Sequence, residues 1–204
     1  MSNPLATRVP NAGGVLCDWQ IRQRIAITPW QEGIKRPGVI SYGVSTAGYD
    51  FRLGYRLLVP KTPPNSREAI CPKMGQAELR DCFLEYDLRQ YGLSWVIEPN
   101  NFVLAEVLES VVMPQDVIGI ATGKSTYARL GLVANVTPLE PGWQGILTIE
   151  LSNTSQRPIR IYAEEGILQV TFHQLTGVPE QSYAQKQGKY QNQTGVTLPC
   201  VDKP

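Results

Sequence analysis

Between Gly123 and Asn153 the chain reads Gly-Lys-Ser-Thr-Tyr-Ala-Arg-Leu-Gly-Leu-Val-Ala-Asn-Val-Thr-Pro-Leu-Glu-Pro-Gly-Trp-Gln-Gly-Ile-Leu-Thr-Ile-Glu-Leu-Ser-Asn. A basic, hydroxyl-rich turn, a Pro/Gly turn and an apolar strand with one carboxylate, Glu150, follow one another closely. The strand period of two puts Leu147, Ile149 and Leu151 on one face of 145–152, and Ile146, Thr148, Glu150 and Ser152 on the other. Glu150 therefore projects from the side opposite the buried one. It is either a solvated glutamate or a carboxylate held on a rigid strand beside Ile146, where a raised pKa suits acid/base work. Lys124, Ser125 and Thr126, with backbone N–H groups at the start of a turn, can hold phosphate oxygens. Arg129 lies one helical turn after Ser125, so the two can share a side.

Other chemistries fail on spacing. Gly123-Lys-Ser is not a P-loop, because the first glycine of G-x-x-x-x-G-K-[ST] would fall at Ile118. The zinc deaminase pattern, H-x-E with P-C-x-x-C, is missing, and so is H-E-x-x-H. Whatever Glu150 activates, it does so without a zinc-bound water. The single histidine, His173, lies on the strand 166–174 with Ile167, Gln169 and Thr171, opposite Leu168, Val170 and Phe172. It reads as a packed or solvent residue.

The elements that must position these groups are strands. The 204 residues are 42% hydrophobic, which is enough for a sizeable core, and 16 prolines with 18 glycines argue for many turns rather than long helices. A net charge of +1 provides no global field for nucleic acid or an anionic membrane. The four scattered cysteines form no C-x-x-C pair and read as reduced thiols, although a Cys71–Cys82 bridge is sterically possible. The N-terminus lacks an apolar signal region, and Glu106 and Glu109 break the longest apolar stretches. A soluble intracellular protein is expected.

Along the chain, Leu16–Ala26 predicts a short helix capped by Asp18 with Ile21 and Ile25 on one face. Residues 45–59 predict a strand with Asp50 and Arg52 on one side and Tyr49, Phe51 and Leu53 on the other. An arginine is the expected partner of Asp50, with direct ligand contact as the lesser reading. Residues 60–92 have no clear period and read as an excursion. Pro99, Pro114 and the β-branched content favour a strand over 101–112, continued at 117–121. Strands at 131–137, 145–152, 158–163 and 167–174, separated by Pro/Gly turns, predict an all-β sandwich or barrel. The polar tail beyond residue 184, with Tyr190 and Val196 as its anchors, reads as a frayed end.

Four blocks in order resemble the dCTP deaminases of the dUTPase-like superfamily. They are Val15-Leu-Cys-Asp-Trp-Gln-Ile21, Ala47-Gly-Tyr-Asp-Phe-Arg-Leu-Gly54, the stretch 123–153 and Lys189-Tyr-Gln-Asn-Gln-Thr-Gly195. The resemblance implies an all-β, distorted jelly-roll or β-clip dUTPase-like subunit with a few short helices over 15–183. A flexible arm at 1–14 and a lid at 184–204 would flank it. It also implies a cytoplasmic homotrimer with active sites between subunits and no nucleic-acid or membrane partner. The implied reaction is hydrolysis of dCTP to dUTP and ammonia, supplying dUTP for dTTP synthesis. Mg²⁺ would accompany the triphosphate, and no zinc or other catalytic metal would be used.

By resemblance, Glu150 matches the catalytic acid/base, and Ser125 and Arg129 match residues lining the water and base pocket. Lys124, Ser125, Thr126, Tyr127, Ala128 and Arg129 match the substrate-binding turn. Thr148 and Ile149 match positions whose backbone reads the pyrimidine edge, and Glu140 an acid near the sugar 3′-hydroxyl. Gln169, Tyr183 and Gln193 match nucleotide contacts, and Lys189 a charge near the phosphates. The turn 136–143 is shorter than in some members. Pro138 stands where a backbone carbonyl orients the water, and proline keeps its carbonyl. Three other readings share parts of this pattern: a bifunctional deaminase and pyrophosphatase giving dUMP, a dUTPase, and a non-enzymatic nucleotide-binding module.

Overall fold

The computed structural model describes residues 13–61 and 69–201. Most of the expected arm 1–14 lies outside these residues, as do parts of the excursion 60–92 and the end of the tail. In chain order the elements are β1 (Gly14–Val15), α1 (Asp18–Arg24), β2 (Ala26–Thr28), β3 (Ile34–Arg36), β4 (Val39–Ser45), β5 (Gly48–Pro60) and α2 (Gln76–Asp81). Then come β6 (Phe83–Asp87), a 3-10 turn at Leu88–Gln90, β7 (Ser94–Ile97), β8 (Phe102–Val112), β9 (Val117–Gly123) and α3 (Ser125–Ala128). The series ends with β10 (Leu132–Asn135), β11 (Gln144–Asn153), β12 (Ile159–Tyr162) and β13 (Gly166–Gln174).

Eleven of these strands form one curled sheet along the path β1-β13-β5-β8-β11-β10, while β7 and β12 pair separately. The all-β expectation holds. β5 is the pivot: its first half pairs with β4 and β13, and its second half with β6. β8 joins it to β11. One apolar core is shared by α1, β5, β8, β11 and β13, with Ile21, Phe51, Val107, Ile149 and Phe172 each almost fully buried. Truncating one such side chain costs about 2–5 kcal/mol.

Several expectations need correction. Helix α1 is capped by Cys17, whose N–H bonds the Gln20 side chain at 3.0 Å; Asp18 instead opens the first turn and pairs with Arg22 at 2.9 Å. Ile167, expected on the side away from the core, is buried because the register of β13 shifts between Gly166 and Leu168. Asp50 does not pair with an arginine. Its carboxylate meets the Lys124 ammonium, and Arg52 bonds Glu109 at 2.6 Å through Nε. Both strand faces are covered at this point, so each buried charge must find an opposite charge. The tail is not frayed: Asn192 and Gln193 bond to Gln144 and Ile146 of β11, and Leu198 is buried. Leu198 anchors the tail in addition to the expected Val196, which packs beside it. Residues 76–87 of the excursion are ordered as α2 and β6, and Leu79 joins Leu58, Leu104 and Leu198 in a second small core. Cys17, Cys71 and Cys82 are unbridged. Among the described residues, no helix is long and apolar enough to cross a membrane.

Candidate active site

β11 behaves as its alternation requires. Leu147, Ile149 and Leu151 are buried in the core, and Ile146, Thr148, Glu150 and Ser152 are half-buried on the outer face. Its neighbours complete the floor: Thr148 lies opposite Glu106 and Glu150 opposite Leu104 of β8, while Asn135 of β10 flanks Glu150 on the other side. Above this floor is a cleft of about 390 Å³, whose walls are the turn 136–143 and the tail.

The turn is fixed by a buried leucine. Leu139 exchanges two backbone hydrogen bonds with Gly119 of β9, 2.8 and 3.0 Å long. A side chain at Gly119 would press on Leu139, at 3.0 Å from its Cβ. Leu139 faces inward, and Pro138 and Glu140 on either side of it are exposed on the cleft wall. Trp143 closes the turn: its N–H donates to the Glu140 carbonyl at 3.0 Å, and its indole Nε1 donates to the Tyr190 carbonyl at 2.7 Å. Tyr183 donates from its N–H to Pro141 at 3.0 Å, and its hydroxyl accepts from the Tyr190 N–H at 3.0 Å.

The tail comes close to β11 at one glycine. Gly145 has φ of +145°, and a Cβ there would stand 2.7 Å from the Gln193 nitrogen. Only glycine admits this approach. Ile146 N–H then donates to the Gln193 carbonyl at 2.8 Å, and Thr197 N–H donates to the Thr148 hydroxyl at 2.9 Å.

Glu150 sits on this floor, and Leu104, Val136 and Leu198 line the same cleft. Loss of hydration raises its pKa above the ordinary glutamate value, and its own backbone N–H offsets only part of that rise. A carboxylate in this setting takes a proton from water more readily than a solvated one, and gives it back in the same cycle.

Thus Glu140, Thr148, Glu150, Tyr183 and Gln193 share one cleft within the chain. Ile149 lies behind them in the core, so only its backbone can face a ligand. The turn 124–129 does not line this cleft. It follows β9, with the Lys124 N–H donating to the Ile167 carbonyl at 3.1 Å and the Lys124 ammonium engaged by Asp50. Ser125, Thr126, Ala128 and Arg129 are exposed, and Arg129 Nη1 donates to the Ser125 carbonyl at 3.3 Å. Tyr127 is a buried anchor whose hydroxyl accepts from the Tyr162 N–H at 3.3 Å. Gln169 is half-buried on β13, opposite Thr122 and Asp50, and so stands near this turn rather than near Glu150. Lys189 is exposed and does not line the cleft.

Leu104, Thr197, Leu198 and Pro199 line the cleft and were not anticipated as site residues. An isolated leucine in a polar tail was the available signal for Leu198. Among the described residues, no three His, Cys, Asp or Glu side chains are gathered as metal ligands.

A family profile described as dCTP deaminase-like matches residues 15–175. A Herpetosiphon aurantiacus protein named dCTP deaminase is 44% identical over 175 residues, covering 86% of this chain and 90% of the relative. A Nautilia profundicola protein of the same name is 46% identical over 178 residues, covering 87% and 90%. Among solved structures, the 2′-deoxycytidine 5′-triphosphate deaminase of Agrobacterium tumefaciens matches with a TM-score of 0.55 at 23% identity. The match spans 79% of this chain and 48% of that one, and it speaks to the fold.

Proposed function

The chain belongs to the dCTP deaminase-like family, and from that premise we propose that it hydrolyses dCTP to dUTP and ammonia with Glu150 as acid and base. The observation that carries this reading is the half-buried Glu150 carboxylate, raised in pKa and fixed on the floor of a cleft large enough for a nucleoside. The Glu150 carboxylate takes a proton from water as the oxygen bonds to cytosine C4. That proton passes to the ring N3, and the proton of the new C4 hydroxyl passes through Glu150 to the exocyclic nitrogen. The C4–N bond then breaks, ammonia leaves, and the C4 oxygen becomes the uracil carbonyl.

The other roles rest on the resemblance and on placement. Thr148 and the Ile149 backbone would read the pyrimidine edge, Glu140 would meet the sugar, and Tyr183 and Gln193 would cover the nucleotide from the tail. Ser125 and Arg129 stand outside the Glu150 cleft of their own chain, which supports a homotrimer in which a neighbour's turn completes each site. In such an assembly Lys124, Thr126, Tyr127, Ala128, Gln169 and Lys189 belong to the nucleotide-binding surface, several of them through backbone groups. Mg²⁺ enters with the triphosphate as part of the substrate. The setting proposed is the cytoplasm.

Glu140 favours one further reading. It shares the cleft with Glu150, and a second carboxylate there could activate water at the α-phosphate and carry dCTP through to dUMP. Incubation with dCTP and Mg²⁺, followed by ion-exchange separation of products, decides between them. dUTP supports the deaminase, dUMP with pyrophosphate supports the bifunctional form, and unchanged dCTP rejects both.

A further inference from the structure

Glu106 is 7% exposed, yet it lies on the outer face of β8, beside Leu104 and away from the main core. Gly54 of β5 packs against its Cγ, and the tail covers its carboxylate. A Cβ on Gly195 would stand 3.0 Å from Glu106 Oε2 and 3.0 Å from Arg56 Nη2. Arg56 Nε lies 3.4 Å from Glu106 Oε2, and Arg56 N–H donates to Glu106 Oε1 at 3.2 Å. The same arginine reaches the tail, with Nη2 donating to the Thr194 carbonyl at 3.3 Å. Glu106 Oε2 is buried and accepts no hydrogen bond. On the other side of Gly195, its carbonyl accepts from the Thr148 hydroxyl at 3.5 Å. Burying a carboxylate against a half-exposed arginine is costly unless the burial is used. Residues 194–195 are seated directly on the pair.

We propose that Arg56 and Glu106 form a latch that positions residues 193–198 across the Thr148–Glu150 face, with Gly195 as the residue the latch closes on. The inference rests on the reading of that face as the dCTP site. Arg56 supplies a donor to a main-chain carbonyl. Glu106 holds the guanidinium in place, and the missing side chain at 195 lets the backbone lie flat against both. All three are positioning residues, since none of them lines the cleft.

The latch can be tested in the full-length protein with Arg56→Ala, Arg56→Lys and Gly195→Val. Backbone amide exchange is followed at Ile146 and Thr197, whose N–H groups bond the Gln193 carbonyl and the Thr148 hydroxyl. KM and kcat for Mg²⁺·dCTP are measured in parallel. Both amides should exchange about tenfold faster in Arg56→Ala and Gly195→Val, with β13 amides unchanged. KM should rise more than kcat falls, and Arg56→Lys should recover part of both effects. Should Gly195→Val fail to fold, Arg56→Ala alone decides, because Arg56 is half-exposed and outside the core. Wild-type exchange at both amides overturns the latch. Faster exchange with unchanged KM overturns its role at the site. Exchange reads the latch even if dCTP is not turned over, so the two readings fail separately.

Discussion

Burial strips water from the Glu150 carboxylate and holds its pKa above the ordinary glutamate value, in a cleft that Leu104, Val136 and Leu198 help to line. The sign of the consequence follows from linkage. A carboxyl with a raised folded-state pKa contributes stability below the unfolded pKa, and that stability is lost as pH rises through the folded pKa. Glu150→Gln should therefore melt higher than the wild type at about pH 8, and the gap should close as pH falls below the ordinary carboxylate range. The same variant should lose deamination while retaining dCTP binding by calorimetry; turnover at the wild-type rate would remove Glu150 from the mechanism. In the wild type, the acid limb of kcat/KM should fall at a pH above the ordinary glutamate value.

Between elements, the placement of charge on β5 matters most. Arg52 neutralises Glu109, which is fully buried on β8 and whose pKa burial raises despite that partner. Arg52→Met leaves an uncompensated buried carboxylate and should cost about 3–5 kcal/mol in urea unfolding, against little for the double change with Glu109→Leu. Neither this pair nor Asp50–Lys124 was legible in the sequence. Asp50 and Lys124 lie 74 positions apart, and only the stacking of β5, β13 and β9 brings them together. The strands themselves were legible: β11 carries its alternation in its own residues, β13 does so from Leu168 onward, and proline brackets with β-branched content marked β8. So was the outward face of Glu150. The docked tail was not, since main-chain bonds from Asn192 and Gln193 hold it and leave no pattern in side-chain type. The buried Leu198 was one apolar letter in a polar run.

For the whole molecule, the separation of the turn 124–129 from the Glu150 cleft predicts complementation. Glu150→Gln and Arg129→Ala chains, each inactive alone, should regain partial dCTP turnover when unfolded together and reassembled. Sedimentation should give the mass of three chains, and a monomer that is fully active would reject shared sites. Exhaustive zinc chelation with Mg²⁺ supplied should leave turnover unchanged; loss restored only by zinc would reject the metal-free reading of Glu150. The bond from the Trp143 indole to the Tyr190 carbonyl has a use of its own. Trp143 is one of four tryptophans, 6% exposed, and stands where the tail meets the cleft wall. If the tail lifts, that indole hydrates and its emission shifts to the red. Stopped-flow emission without a label would therefore report any such movement of the tail.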